Sequence, residues 1–382
     1  MDLTFSPEEQ AFADSMRRYA RERLMPEYAK WDQGNSYPRE RLRELAQLGV
    51  TGLAIPAEYG GSEGTFVMAG IAAEELGRGD INATVFLQTH MIGGSIAIHA
   101  QEQVKRQWLP ALASGERIAC LALTEPGAGS DAAAIAASAR RDGAHYVIRG
   151  EKASISLAGM ADVAVMFART GGPGARGISA FMVPLDLPGV SRNLYRSAGG
   201  RLMQRGSLIF EDVRVPADHL IGEEGGGFHQ VMEAFDFNRA IIALACLGAA
   251  EQSLDETIEY ARQRRTFGKP LALHEGVSFQ IAEHLTLVSA ARWLAYHCLA
   301  LRDRDQRHTR EAAMCKWMGP KAAAEAIHAC IILHGWLGYD MDLPLQQRLR
   351  DVVGNEIADG TPEIMKAIVV REAFGREYSP LR

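Results

Sequence analysis

The feature that most constrains this chain is a double change of texture along its length. From Ser6 to about Gly115 apolar residues recur at helical spacing. Ser6-Pro7-Glu8-Glu9 reads as an N-cap with proline at the first helical position, and Phe12, Met16 and Tyr19 then line one face. Between about Ile118 and Glu223 the pattern becomes short apolar runs, Tyr146 to Ile148, Val163 to Phe167, Ile178 to Val183 and Leu208 to Phe210, separated by glycine and proline clusters. Asp142-Gly143 between two such segments predicts a hairpin, because both central residues of that turn tolerate positive φ. From Gly226 helical spacing returns, with Phe228, Val231, Met232 and Phe235 on one stripe and Val277, Ile281, Leu285 and Val288 on another. The expectation is a mainly α chain with a central β domain: residues 1–117 helical, 118–225 a small β domain, and 226–382 a second all-α domain. A chain of 382 residues exceeds what one hydrophobic core usually serves, which agrees with several domains.

Composition removes several function classes. With 47% hydrophobic and 23% charged residues the chain reads as globular, and a formal net charge of -6 gives no basic field for nucleic acid. The five cysteines, Cys120, Cys246, Cys298, Cys315 and Cys330, are odd in number and lack C-x-x-C spacing. Reduced core cysteines and no metal site are therefore expected. The stretch Ser6 to Leu24 is acidic and amphipathic rather than a signal peptide, and no apolar run is long enough for a bilayer. No membrane association and a cytoplasmic location are the resulting expectations.

Six segments carry candidate chemistry. In Ala122-Leu123-Thr124-Glu125-Pro126-Gly127-Ala128-Gly129-Ser130-Asp131 a strand runs into a glycine-rich loop with two hydroxyls. Such a loop brings backbone N–H groups and hydroxyl donors to a phosphate or a polar ring edge, although a plain surface turn has the same composition. Gly150-Glu151-Lys152-Ala153-Ser154-Ile155-Ser156 reads as a strand. In Phe235-Asp236-Phe237-Asn238-Arg239 an arginine within an apolar helix needs a partner, and Asp236 three residues earlier offers a structural ion pair. Arg264-Arg265-Thr266-Phe267-Gly268-Lys269 and Ile332-Leu333-His334-Gly335-Trp336-Leu337-Gly338-Tyr339 follow. The last, Ala358-Asp359-Gly360-Thr361-Pro362-Glu363-Ile364, begins a helix with Thr361 as N-cap, proline in the first turn and Glu363 favoured by the dipole. Asp359 then lies at the mouth of that helix.

The ten-residue string around Thr124 resembles the flavin-binding signature of acyl-CoA dehydrogenases, and that family's order of domains covers the chain from Phe5 to about Tyr378. The resemblance implies an N-terminal α-helical domain, a middle β-barrel domain and a C-terminal four-helix bundle. It implies FAD as cofactor, an acyl-CoA thioester as substrate, an electron-transfer flavoprotein as acceptor, and a homotetramer. It assigns the flavin ring to Thr124 and the pyrophosphate to Ser130, with Leu121, Leu123 and Gly129 beside them. In G-x-K-x-W-I-T, the family's next strand, Ser154 stands where tryptophan is usual and Ser156 where threonine is. Loss of that indole removes a face of roughly 200 Å². Arg264 and Phe267 would meet the FAD of a neighbouring subunit. Ile332 and Trp336 replace the glutamine and second glycine of the family's cross-subunit segment. Thr361 and Glu363 complete the cofactor set, while Asp236, Asn238, Arg239 and Gly360 fall on the substrate side.

In the family's Y-E-G-T-x-Q-I segment the glutamate is the catalytic base, and Asp359 occupies its slot. Some relatives carry the base on an earlier helix, and that slot is Asn238, which cannot act as one. The resemblance implies that Asp359 takes the α proton while the β hydrogen leaves as hydride to flavin N5. The developing enolate would be met by the base residue's own amide and the ribityl hydroxyl, each donor contributing about 3 to 4 kcal/mol. Aspartate withdraws the base by one methylene, which makes room for an α-branched or alicyclic acyl group such as cyclohexane-1-carboxyl-CoA. The same residues would serve an enoyl-CoA reductase running in reverse. Ser154, Ile332 and Trp336 also admit a partner subunit with weakened FAD binding, and the sequence leaves open whether CoA or acyl carrier protein bears the acyl group.

Overall fold

The computed structural model describes residues 4–34 and 38–380. Helix α1, Pro7–Tyr19, opens with a full capping box: the Glu9 amide donates to the Ser6 hydroxyl at 3.2 Å and the Ser6 amide to the Glu9 carboxylate at 2.8 Å. Met16 and Tyr19 are buried and Phe12 is half-buried, as the spacing requires. Further helices are α2 (Phe66–Gly79), α3 (Gln88–His99) and α4 (Glu102–Ala113), followed by the strands and then by α5 (Gly227–Gln263), α6 (Glu275–Asp303), α7 (Thr309–His334), α8 (Leu345–Ile357) and α9 (Pro362–Phe374). The helical, sheet, helical order is thus the observed one.

The chain forms two compact units. One comprises residues 38–65 and 85–235 and is built on a sheet of eight strands. These are β1 (Ala119–Ala122), β2 (Ser138–Asp142), β3 (His145–Ile155), β4 (Val163–Arg169), β5 (Ile178–Pro184), β6 (Val190–Leu194), β7 (Gly206–Pro216) and β8 (Leu220–Ile221). They lie in the order β6-β7-β3-β2-β4-β5-β8, with β1 parallel to β4. β4 and β5 are buried along nearly their whole length, which explains their unbroken apolar sequence. The β2–β3 hairpin is present, but its register differs by one residue from the predicted turn. Asp142 pairs with His145, so the turn is Gly143-Ala144, and Gly143 supplies the positive φ of 61° at its first position.

The second unit gathers residues 4–34, 66–84 and 236–380. Here α2 and α5 approach closely enough to exclude side chains: a Cβ on Gly77 would lie 2.2 Å from the Ala245 carbonyl oxygen, and one on Gly248 2.0 Å from that of Glu74. The α6 stripe is only partly core. Ile281 and Val288 are buried, but Leu285 is 40% exposed, because the apolar arc of this helix is wider than the surface packed against it within the unit. All five cysteines are buried and free. No described helix is long and apolar enough to cross a membrane, and the described residues hold no His, Cys, Asp or Glu cluster suited to a metal.

One buried polar group in this unit sets a pH dependence. The Asp80 carboxyl accepts from the Asn82 amide at 2.8 Å and from Asn82 Nδ2 at 2.9 Å, and Asn82 Nδ2 also reaches Asp351 Oδ2 at 2.9 Å. Burial pushes Asp80 up to about 7, and the Asp351 charge adds to this against the lowering pull of the Asn82 bonds. The folded state therefore prefers the neutral acid. That preference contributes fully below the unfolded value near 3.8 and is lost as pH rises through about 7. Asp80→Asn should reduce the decline in unfolding free energy between pH 4 and 7 by a few kcal/mol, read by urea denaturation at both pH values. An unchanged decline in the variant would contradict this assignment.

Candidate active site

Each unit carries a set of polar side chains around a loop that its own packing fixes. In the sheet unit, β1 leads into the loop that begins at Leu123. Glu125 and Ala128 close a tight turn through paired backbone bonds of 3.0 and 3.1 Å, with Pro126 and Gly127 at its centre. The buried Glu125 carboxylate then reaches across to the Ala136 amide at 2.6 Å and the Ala137 amide at 3.0 Å. Lys152 of β3, fully buried, donates to the same carboxylate at 2.7 Å and to the Leu123 carbonyl at 2.9 Å. One ion pair therefore ties both ends of the loop to the sheet. Burial pushes the Lys152 ammonium down to about 8 even though Glu125 pulls it upward. For Glu125 burial acts in the raising direction, yet the Ala136 amide and Lys152 hold the carboxyl below its ordinary value.

What the pair presents is a row of open donors. The Thr124 side chain is half-buried, Ser130 is exposed, and neither hydroxyl meets a protein partner among the described residues. A Cβ on Gly127 or Gly129 would meet nothing within 4 Å, so the loop face is clear for a ligand to approach its backbone. Leu121 is half-buried in β1 and Leu123 is buried. The Ala153 amide donates to the Thr124 carbonyl at 2.8 Å, which sets the end of β3 beside this loop. Ser154, next along, is exposed and left-handed with φ of 58°, and it coincides with a register shift between Lys152 and Ile155. Ser156 is half-buried and its hydroxyl accepts from Arg205 Nη2 at 3.3 Å.

In the helical unit the corresponding loop joins α8 to α9. Asp359 is half-buried and left-handed, with φ of 54°, and Gly360 follows with φ of 111°. The Asp359 Oδ2 atom accepts from Asn238 Nδ2 at 2.6 Å, and Arg239 Nε reaches the Asp359 carbonyl at 3.5 Å. Arg239 also pairs with Asp236 at 2.7 Å, and the Thr309 hydroxyl donates to the other Asp236 oxygen at 2.6 Å, so the structural ion pair inferred from sequence is present. Lys316 of α7, fully buried, donates to the Glu356 carbonyl at 3.3 Å and the Gly360 carbonyl at 3.2 Å. Burial pushes both the Arg239 guanidinium and the Lys316 ammonium below their ordinary values, and in both the Asp359 charge opposes that fall. Thr361 sits at the N-cap of α9 with Pro362 following, but its side chain makes no capping bond, and Glu363 is exposed.

The remaining predicted residues lie on the surface of this unit. Arg264 is exposed, its side chain without a protein partner among the described residues. Phe267 is 94% exposed at the tip of a two-stranded hairpin, Trp336 81% and Ile332 62%. Sequence reasoning assigned no role to Glu125, Lys152 or Lys316. For Lys316 the signal was a lone charge within an apolar run, Ala312-Ala313-Met314-Cys315-Lys316-Trp317, which demands a buried partner, whereas Glu125 and Lys152 stand among polar neighbours and carry no such signal.

Family models for the N-terminal, middle and C-terminal domains of acyl-CoA dehydrogenase match residues 6–116, 120–213 and 225–374. The chain is 36% identical to an acryloyl-CoA reductase (NADH) of Anaerotignum propionicum, covering 98% of this chain and 97% of the relative. It is 34% identical to the mitochondrial short-chain specific acyl-CoA dehydrogenase of Rattus norvegicus, covering 94% and 88%. Among solved structures, a glutaryl-CoA dehydrogenase from Mycobacterium smegmatis in complex with FADH2 superposes with a TM-score of 0.93 at 28% identity, covering 99% of this chain and 97% of that one. FAD is the cofactor of this family, and the donors of the sheet unit fit it: a half-buried hydroxyl and clear backbone for a polar ring edge.

Lys152→Met leaves the Glu125 carboxylate buried without its cation, a change of about 3 to 5 kcal/mol. Thermal unfolding should drop accordingly and FAD retention on gel filtration should weaken, while the Glu125→Gln/Lys152→Met double variant recovers much of the stability. A single variant as stable as the parent would show that the pair does not hold the loop.

Proposed function

The chain belongs to the acyl-CoA dehydrogenase family, and on that premise we propose that it removes an α proton and a β hydride from an acyl-CoA thioester, with Asp359 as the base. FAD, when bound, supplies the hydride acceptor. Thr124, Ser130 and the open glycine backbone of the sheet loop are the residues we assign to it, together with Leu121, Leu123, Gly129, Ser154, Ser156, Arg264, Phe267, Ile332, Trp336, Thr361 and Glu363. The observation that carries the reading is the identity of the groups on the α8–α9 loop. Asp359 is a half-buried carboxylate there, and the alternative base position is an amide, Asn238, directly bonded to it.

An α proton beside a thioester is weakly acidic, so a held base matters: positioned proton transfer contributes about 10²- to 10⁴-fold in rate. Asp359 receives that proton. Arg239 and Lys316 fix the backbone from which the carboxylate projects, while Asp236 holds Arg239 in place. Asp236, Asn238, Arg239 and Gly360 are accordingly the substrate-side set. Because aspartate stops one methylene short of the family's glutamate, we infer an acyl group that brings its α carbon closer, α-branched or alicyclic, with cyclohexane-1-carboxyl-CoA as one member of the class.

A second reading, reduction of an enoyl-CoA, is favoured by the 36% identity to a protein named acryloyl-CoA reductase. Microscopic reversibility assigns it the same residues, with Asp359 as acid. We further infer electron-transfer flavoprotein as electron partner, a homotetramer, and a cytoplasmic location. The exposed Phe267, Ile332 and Trp336 support the tetramer, since a neighbouring subunit would cover them.

Asp359→Ala should keep its FAD yet lose anaerobic bleaching of the flavin by substrate about 10³-fold; bleaching at the parent's rate would remove Asp359 from its role. Given a panel of linear, branched and cyclic acyl-CoAs, the parent should bleach fastest with a branched or cyclic member. Fastest bleaching by a linear one would overturn the substrate class.

A further inference from the structure

Asn238 lies about three turns into α5, 7% exposed, and among the described residues its side chain makes one polar contact: Nδ2 to Oδ2 of Asp359, at 2.6 Å. The loop does not need that bond to hold its backbone. The neighbouring Arg239 already anchors the loop through the Asp359 carbonyl, and Lys316 anchors it through the carbonyls of Glu356 and Gly360. Backbone placement is thus settled without Asn238. What the backbone leaves undetermined is rotation of the Asp359 carboxylate about its side-chain torsions, and a carboxylate on a half-buried left-handed residue has room to turn.

A carboxylate that accepts a proton from carbon must point one oxygen at that carbon and keep it there. The bond from Asn238 takes Oδ2, which leaves Oδ1 as the oxygen with no protein donor among the described residues. Asn238 itself carries no charge, so it orients the carboxylate without the repulsion a second carboxylate would bring. Its amide also stands where a shorter acid would otherwise leave slack. Resting on the reading of Asp359 as the base, we propose that Asn238 is a positioning residue for that base, holding Oδ2 so that Oδ1 receives the α proton. Asn238 acts through Asp359 and takes no proton.

Four variants of the FAD-loaded protein test this: Asn238→Leu, similar in size without a donor; Asn238→Ala; Asn238→Thr, which restores a hydroxyl donor; and Asp359→Asn. Each is assayed in steady-state turnover with an artificial one-electron acceptor, ferricenium, to reoxidise the flavin, using the acyl-CoA that bleaches the parent fastest with hydrogen or deuterium at the α carbon, and separately at the β carbon, with FAD content and melting temperature recorded. Loss of one hydrogen bond to a charged group corresponds to about a 10- to 100-fold fall in kcat for Asn238→Leu and Asn238→Ala, with KM changed less than about threefold. The α-deuterium effect on kcat should rise in both, because proton removal becomes the slower event, while the β-deuterium effect does not rise. Asn238→Thr should recover at least part of the kcat.

If Asn238→Leu and Asn238→Ala keep the parent's kcat and α-deuterium effect while Asp359→Asn is inactive, the positioning role is overturned and the base assignment stands. If their kcat falls only in proportion to lost FAD or lost fold, with the α-deuterium effect unmoved, Asn238 is structural and the proposal is again overturned. If Asp359→Asn remains active, the underlying reading of the base has failed, and that result is separate from either outcome at Asn238.

Discussion

Two buried cations bonded to backbone carbonyls hold the loop that carries Asp359 in the helical unit. Arg239 and Lys316 are each less than a tenth exposed, and burying either charge without a partner is costly. Arg239 meets Asp236 and the Asp359 carbonyl, and Lys316 meets the carbonyls of Glu356 and Gly360. The last turn of α8 leaves carbonyls without intrahelical partners, so a buried ammonium there satisfies both sides. The consequence is a loop that cannot relax. Asp359 stays left-handed at φ of 54°, a conformation that costs a non-glycine residue on the order of 1 kcal/mol and persists only where the surroundings impose it.

The sheet unit reaches the same end with the charges reversed in role. There a buried carboxylate, Glu125, collects two backbone amides, and Lys152 neutralises it from the neighbouring strand. Both ends of the glycine-rich loop are fixed, while the Thr124 and Ser130 hydroxyls meet no protein partner among the described residues and the Gly127 and Gly129 backbone stays clear. Again a non-glycine residue, Ser154 at φ of 58°, carries backbone strain next to the held segment. In each unit rigid secondary structure, a buried charge bonded to main chain, and a strained residue with a free polar group occur together. That combination suits a ligand that must find its donors already oriented.

Local signals in the sequence were enough for local structure. Ser6 before Pro7 marked the N-cap of α1, the alternation of texture marked the helical and sheet zones, and Asp236 three residues before Arg239 marked their ion pair. The hairpin after β2 was found, although strand pairing chose Gly143-Ala144 as its turn instead of the preceding dipeptide. Bonds between distant residues were not legible. Asn238 and Asp359 are 121 positions apart and Glu125 and Lys152 are 27, and no periodicity links them. Thr361 shows the converse: its type and place are those of a capping residue, yet its hydroxyl makes no capping bond. Leu285 fits a helical stripe, but the width of a stripe does not report how much of it the fold covers.

The base role proposed for Asp359 turns on where its carboxylate lies when a thioester is bound. A crystal structure of the FAD-loaded protein with an unreactive acyl-CoA analogue measures this directly. The expected result is one Asp359 oxygen within about 3 to 3.5 Å of the analogue's α carbon, and the other still bonded to Asn238. An α carbon beyond about 6 Å from both oxygens, or a carboxylate turned to solvent, would contradict it.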